Sequence, residues 1–351
     1  LKLLYALLAF LPVSIFLELR HADPTWIFIT SCLAIVPLAK LMGYATEEIA
    51  LKAGEGIGGL LNATFGNAVE LIIAIVALQK GLIPVVQASI TGSIIGNLLL
   101  VLGLSILLGG LRYKEQHFNR SAATANGSML VLTVAALLVP AALVLTSPAQ
   151  AAPAAVMRLS HWVAIVLLAV YAASLVFSLR THSHLYTGSS HGEGVEEPKL
   201  PLPMAIGLLV LATVAVAVES EFLVGSIEHV THAWGLSEFF IGVILIPVIG
   251  NAAEHLTAVT TAMKNKMDLS LGIAIGSSIQ IALLVAPLLV LVGWAIGQPF
   301  TLQFNLFEIM AVLVTVAITN TVVSDGETNW LEGLQLLAMY GVLALAFFFH
   351  P

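Results

Sequence analysis

The chain has 351 residues, 59% of them hydrophobic and 9% charged, with a mean hydropathy of +1.02. A soluble domain carries about 25% charged residues, so this composition excludes one and points to an all-α polytopic membrane protein lodged in a lipid bilayer. The net charge of -7 excludes nucleic acid as a partner, and the single Cys32 excludes an intrachain disulfide.

A spanning helix needs about 20 mostly apolar residues. On that rule eleven transmembrane helices are expected, over 2-19, 25-43, 56-79, 82-109, 119-145, 155-179, 202-227, 237-262, 268-293, 302-323 and 329-350. The chain begins with Leu1, and further spans follow its first apolar run, which therefore reads as a helix rather than a cleaved signal. Prolines at 37, 140, 247 and 287 punctuate the runs. A membrane helix tolerates them where neighbours or a cavity re-satisfy the backbone.

One phrase occurs twice, as Gly66-Asn67-Ala68-Val69-Glu70 and as Gly250-Asn251-Ala252-Ala253-Glu254, 184 residues apart. At the same offset Lys80 matches Lys264, Gly92-Ser93 matches Gly276-Ser277, and Leu99-Leu100-Val101 matches Leu283-Leu284-Val285. Spans two to six thus map onto spans seven to eleven. Five is odd, so the halves enter the bilayer from opposite sides and form two inverted five-helix repeats, a plan that places its site near the midplane. The expected division is a peripheral first transmembrane helix (1-20), a first repeat (21-180), a cytoplasmic linker (181-200) and a second repeat (201-351).

Orientation follows from Lys and Arg. Lys2, Lys40, Lys52, Arg112, Lys114, Arg120, Arg180, Lys199, Lys264 and Lys266 share one side, against Arg20, Lys80 and Arg158 on the other. The N-terminus is therefore expected in the cytoplasm and the C-terminus outside. The linker carries His182, His184, His191, Glu193, Glu196 and Glu197 before Pro198. It reads either as a mobile tether or as a patch that senses cations or pH.

An ionised carboxylate at bilayer depth costs several kcal/mol and marks a functional site by default. Asn67 and Glu70, like Asn251 and Glu254, stand three apart and share a helix face. Gly66 and Gly250 either admit another backbone closely or let the helix loosen and present carbonyls. Pro247, lacking an N–H, frees the carbonyl of Val243; the first copy has Ala63 there, with glycines at 56, 58 and 59. Downstream, Gly92, Ser93, Gly96 and Asn97 match Gly276, Ser277, Ser278 and Gln280 in depth. The glycines suit tight helix crossing, whereas Asn97 and Gln280 are amides that must find partners and are read as lining a cavity.

This donor set is two carboxylates, amides, hydroxyls and carbonyls, which suits Ca²⁺ over softer metals. His255 points about 100° away from Glu254 on a helix, so proton handling and an interhelical hydrogen bond both stay open for it. Without a cation, burial and mutual repulsion favour protonated glutamates, which titrate as a coupled pair. One Ca²⁺ or two protons balance the site. Glu219, Glu221 and Glu308 are expected to line a water-filled entrance on the outer side, and Glu47, Glu48, Asp325 and Glu327 to be solvated on the cytoplasmic side.

The stretches Asn62-Ala63-Thr64-Phe65-Gly66-Asn67-Ala68-Val69-Glu70-Leu71 and Gly250-Asn251-Ala252-Ala253-Glu254-His255 resemble the two signature repeats of the Ca²⁺/H⁺ exchangers, a branch of the calcium/cation antiporter superfamily. The resemblance runs through Gly92-Ser93 and Gly276-Ser277. It implies one peripheral helix plus two inverted five-helix repeats. It also implies Glu70 and Glu254 as cation and proton carriers, with Asn67, Asn251, Ser93, Ser277 and Gln280 around them. Family members often carry a strongly acidic inter-repeat segment; here 181-199 holds only three glutamates.

The expectation is a non-enzymatic secondary antiporter that expels Ca²⁺ for protons, with no cofactor, in the plasma membrane of a prokaryote rather than a vacuolar membrane. A sodium-coupled exchanger or a broader divalent (Mn²⁺)/H⁺ antiporter is the alternative, and homo-oligomerisation is left open. A channel would need a ring of acids from repeated subunits, and an intramembrane metallohydrolase would need H-E-x-x-H, which is absent.

Overall fold

The computed structural model describes residues 2–53, 55–146, 153–185 and 198–349. Among them, seven helices are long and apolar enough to cross a membrane: Pro24–Ala53, Ile83–Arg112, Arg120–Thr146, Pro153–Thr181, Leu202–Gly225, Met267–Ala295 and Trp330–Phe349. An eighth candidate is the pair Ile227–Trp234 and Glu238–Gly250, bent by 114°. Leu4–Leu19, Ala68–Gln79 and Leu306–Val322 are apolar but shorter. The protein is thus an all-α polytopic membrane protein, with one two-stranded ribbon, Gln116–His117 against Glu327–Thr328.

Element boundaries depart from hydropathy for local reasons. The second expected span, 25-43, is the first turns of a 30-residue helix, Pro24–Ala53. Asp23 starts it by accepting the Thr25 N–H at 2.8 Å, and Pro24 takes a first-turn position where a missing N–H costs nothing. The Thr25 hydroxyl, and after it the Thr25 N–H bond, hold the exposed Asp23 carboxyl below its ordinary range. The expected span 56-79 is instead two helices, Glu55–Phe65 and Ala68–Gln79, and the expected span 237-262 breaks between Gly250 and Ala252.

The 184-residue period carries into these boundaries. Ala68 and Ala252 each start a helix, as do Ile83 and Met267. π-Helical turns end at Val101 and Val285, also 184 apart. Such turns mark functional positions in helices.

The chain falls into two compact units, each drawing on both halves of the sequence: residues 2–89 with 198–253, and residues 90–185 with 254–349. In the first, Pro24–Ala53 packs along Leu202–Gly225. Ala205, Leu209, Ala212, Val216 and Leu223 form a buried stripe, and Ile27, Ala34, Leu38, Met42 and Ala45 form a matching one. Their three- and four-residue steps are those of one helix face.

In the second unit, Ile83–Arg112 crosses Trp330–Phe349 at glycine contacts. A Cβ on Gly333 would meet the Gly103 carbonyl at 2.8 Å and the Leu107 backbone, and one on Gly110 would strike the Trp330 backbone. Backbone cannot yield as a side chain can, so Gly333→Leu should separate the helices. Overpacking of this kind costs about 1–3 kcal/mol or more. A lower thermal midpoint in detergent is the expected readout; an unchanged midpoint would show the crossing to be looser.

The sequence treats Glu48 as solvated, and the structure corrects this. Glu48 is 3% exposed, and its Oε2 accepts the Lys199 and Leu200 amides at 2.7 and 2.8 Å. Glu219 and Glu308 were likewise expected at a wet entrance. They are 0% and 1% exposed, bonded to Ser14 and to Thr91 and the Asn305 backbone. Glu221 does face water, paired with Lys80 at 2.7 Å. Of the linker, His191, Glu193, Glu196 and Glu197 lie outside the described residues.

Candidate ion-binding site

Each signature phrase sits where a helix stops and restarts. In the first, the helix closes with the Gly66 N–H on the Asn62 carbonyl. Asn67 then leaves helical geometry (φ -106°, ψ 23°), and Ala68–Gln79 begins with Glu70 in its first turn. The second phrase does the same. Asn251 (φ -93°, ψ 4°) ends the helix reaching Gly250, and Glu254 stands in the first turn of Ala252–Ala262. A first-turn carboxylate faces the positive end of a helix, worth about 0.3–1 kcal/mol in exposed sites and up to ~2 kcal/mol when partly buried. The paired Asn and Glu therefore flank a break rather than share one unbroken face, and the loosened helix is the reading of the two glycines that applies.

In the first unit, residues of both phrases meet. Glu70 is 8% exposed and Asn67 and Asn251 are buried. A Cβ built on Gly250 would lie 3.3 Å from Glu70 Oε1 and 3.4 Å from its Cγ. Gly250 is thus the floor on which the Glu70 carboxyl rests. Asn251 folds its side chain back, Nδ2 donating to the Pro247 carbonyl at 3.1 Å. Before Pro247 the helix widens into a π-turn over Ile241–Leu245, the local answer to proline's missing donor. Gly66 is half-buried at the other break.

In the second unit the Glu254 helix meets the helices carrying the small polar residues. Asn97 Nδ2 donates to Ser277 Oγ at 3.0 Å, and Asn97 Oδ1 lies 3.3 Å from His255 Nε2. With the amide oxygen as acceptor, Nε2 carries the hydrogen. Of the two roles open to His255, the interhelical hydrogen bond is present. Ser277 also faces the Glu254 carboxyl, so Glu254, Ser277, Asn97 and His255 form one polar group. Ser93 is buried one turn before Asn97, and Gln280 is half-buried three residues after Ser277. The Asn97–His255 contact has no signal in sequence, because its partners are 158 residues apart.

The sequence profile of the family described as "Sodium/calcium exchanger protein" matches residues 24–180 and 204–349. The chain is 55% identical to a Ca(2+)/H(+) antiporter of Synechocystis sp., covering 100% of this chain and 98% of that one. It is 42% identical to the Ca(2+)/H(+) antiporter ChaA of Bacillus subtilis, covering 96% of each. The solved structure of native YfkE superposes with a TM-score of 0.85 at 39% identity, over 99% of this chain and 100% of that one. An H+/Ca2+ exchanger CAX shares the fold at a TM-score of 0.70 and 17% identity, over 98% of this chain and 88% of that one.

Proposed function

The chain belongs to the sodium/calcium exchanger protein family, in its Ca²⁺/H⁺ antiporter branch, and from that premise we propose that it exports Ca²⁺ from the cytoplasm in exchange for protons. The observation that carries this reading is the Glu70 carboxyl resting on Gly250, which joins the two copies of the phrase at two helix breaks. Broken helices that present carboxylates, amides and freed carbonyls are how antiporters hold an ion at mid-bilayer.

In this reading Glu70 and Glu254 carry the cation and the protons, and Asn67 and Asn251 supply neutral oxygens. Ser93, Asn97, Ser277 and Gln280 line the cavity, and His255 fixes the Asn97 amide so that its orientation is set before an ion arrives. One Ca²⁺ or two protons satisfy the two carboxylates, so occupancy by one excludes the other. The frame is one peripheral helix plus two inverted repeats of five. The two interrupted segments, 55–79 and 238–262, count as one span each alongside the short apolar helices. The basic residues orient the N-terminus to the cytoplasm and the C-terminus outside. The membrane is a bacterial plasma membrane, in keeping with the bacterial relatives.

The coupling ion is a proton because neither phrase has a hydroxyl inside it, leaving few neutral ligands for a separate Na⁺. Purified protein in sodium-free, inside-acidic proteoliposomes should accumulate Ca²⁺, and a protonophore should abolish the uptake. Accumulation that requires a sodium gradient and ignores the protonophore would overturn the proton-coupled reading.

A further inference from the structure

A third carboxyl lies inside the membrane-spanning helices, away from both phrases. Glu219 occupies a core position in the apolar stripe of Leu202–Gly225, between Val216 and Leu223, and is 0% exposed. At the repeat offset its counterpart in the first half is Ile35, also fully buried, so the acid is not inherited from the duplicated pattern. Its partner breaks the pattern too. Ser14 belongs to the first helix, which has no counterpart in the second half, and Ser14 Oγ lies 2.5 Å from Glu219 Oε1. The two departures from the repeat thus touch each other.

The hydrogen inventory of this contact is short. A serine hydroxyl has one hydrogen, and Ser14 Oγ also sits 2.8 Å from the Leu11 carbonyl, which can only accept. If the Ser14 hydrogen goes to Leu11, the hydrogen of the 2.5 Å contact must come from Glu219. The groups facing the carboxyl are Ser14, Ser31 and Cys32, and none is a cation. Lys80, which follows the packed helix Ala68–Gln79, is engaged with Glu221. Glu48, on Pro24–Ala53, is held by backbone amides. Glu219 Oε2 is buried with the Ser31 hydroxyl beside it but outside hydrogen-bond geometry, so no bond holds a charge there. That is a tolerable place for a carbonyl oxygen, whereas an ionised carboxylate left there would cost several kcal/mol.

We infer that Glu219 is a proton-binding site separate from the exchange pair, a carboxylic acid whose O–H donates to Ser14 and fastens the first helix to the Pro24–Ala53 and Leu202–Gly225 pair. Its proton is structural, held through the transport cycle rather than carried. The acid lets a helix outside the repeats attach by a directed bond, where lipid-facing apolar surface offers no register.

Infrared spectroscopy tests this in a Glu70→Gln/Glu254→Gln background, where the exchange carboxyls contribute nothing. A protonated carboxyl C=O band should persist across neutral pH, and its Glu219 component should be lost in the difference spectrum against Glu219→Gln, which cancels other buried acids such as Glu308. Ser14→Ala, its folding checked by thermal melting, should shift that band in frequency. In the otherwise unaltered protein, Glu219→Gln should leave exchange within about twofold, because an amide N–H donates to Ser14 as the acid does. Glu219→Ala should raise amide hydrogen exchange in residues 10–19 at least tenfold. A carboxylate band in place of the C=O band, no frequency shift with Ser14→Ala, or loss of exchange in Glu219→Gln would each overturn the inference. The infrared arms do not depend on which ion is transported.

Discussion

Glu70→Gln and Glu254→Gln are each expected to abolish Ca²⁺/H⁺ exchange while leaving a folded, membrane-inserted protein. Glutamine keeps the shape and the hydrogen-bonding length of the side chain but removes one of the two charges that offset Ca²⁺ in the proposed site. Removing one partner from a buried charge assembly costs about 3–5 kcal/mol, or about 10²–10⁴-fold in affinity. In the proposed cycle the same change removes one of two proton carriers, so exchange fails in both directions. Flux in proteoliposomes, with folding checked by thermal melting, is the measurement. The proper control is Glu47→Gln, since Glu47 is exposed and should be silent. Glu48→Gln is no such control, because Glu48 holds the Lys199 and Leu200 amides and should destabilise. If Glu70→Gln, Glu254→Gln and Glu47→Gln all lose activity equally and partially, the two signature glutamates are not a dedicated site.

The Glu70→Gln/Glu254→Gln double variant separates a shared site from two independent ones. Two residues acting on one ion behave as a unit, so the double variant should lose no more than either single one. Separate sites would instead give losses that multiply.

The glutamates and the asparagines were legible because a phrase repeated at a fixed spacing needs no knowledge of distant contacts. The break inside each phrase was not, since 56-79 and 237-262 read as unbroken apolar runs and a loosened helix was only one of two roles open to the glycines. Helix ends were hard to read as well. Nothing near residue 43 tells the chain that Pro24–Ala53 runs on for another two to three turns, because its last stretch is stabilised by packing rather than apolar content. Glu48 illustrates the cost. Beside Glu47 and four residues before Lys52 it reads as a solvated helix end, and only the return of the chain at 199–200 reveals two amides waiting for it. Glu219 and Glu308 misled for a related reason. A window average registers an acid near a span end as tolerable but cannot see Ser14 or Thr91 across more than 200 residues of sequence. His255 shows the limit of helical-wheel reasoning. Its direction away from Glu254 was readable, but the amide it meets was not.

Gly250→Val should be nearly as damaging as losing a glutamate, although it removes no ligand. An alanine Cβ at this position would sit 3.5 Å from Glu70 Cδ, an ordinary contact, and 3.3 Å from its Oε1, which is tighter than ordinary. The two methyls of valine then compete for the space that the carboxyl occupies. Glu70 starts its helix from the break at Asn67, so its backbone is not free to retreat, and the side chain must leave its rotamer. A displacement of about 1 Å in a positioned group costs about 100-fold in rate. Gly250→Ala should be intermediate, since a few tenths of an ångström of adjustment suffice. A graded series of Gly, Ala and Val, read as Ca²⁺ flux at equal protein and compared with Gly276→Ala, separates this effect from general helix stiffening. A Cβ on Gly276 would meet nothing within 4 Å, so that variant should transport normally. Equal losses at positions 250 and 276 would mean that glycine flexibility, rather than the room left for Glu70, is what the antiporter needs there.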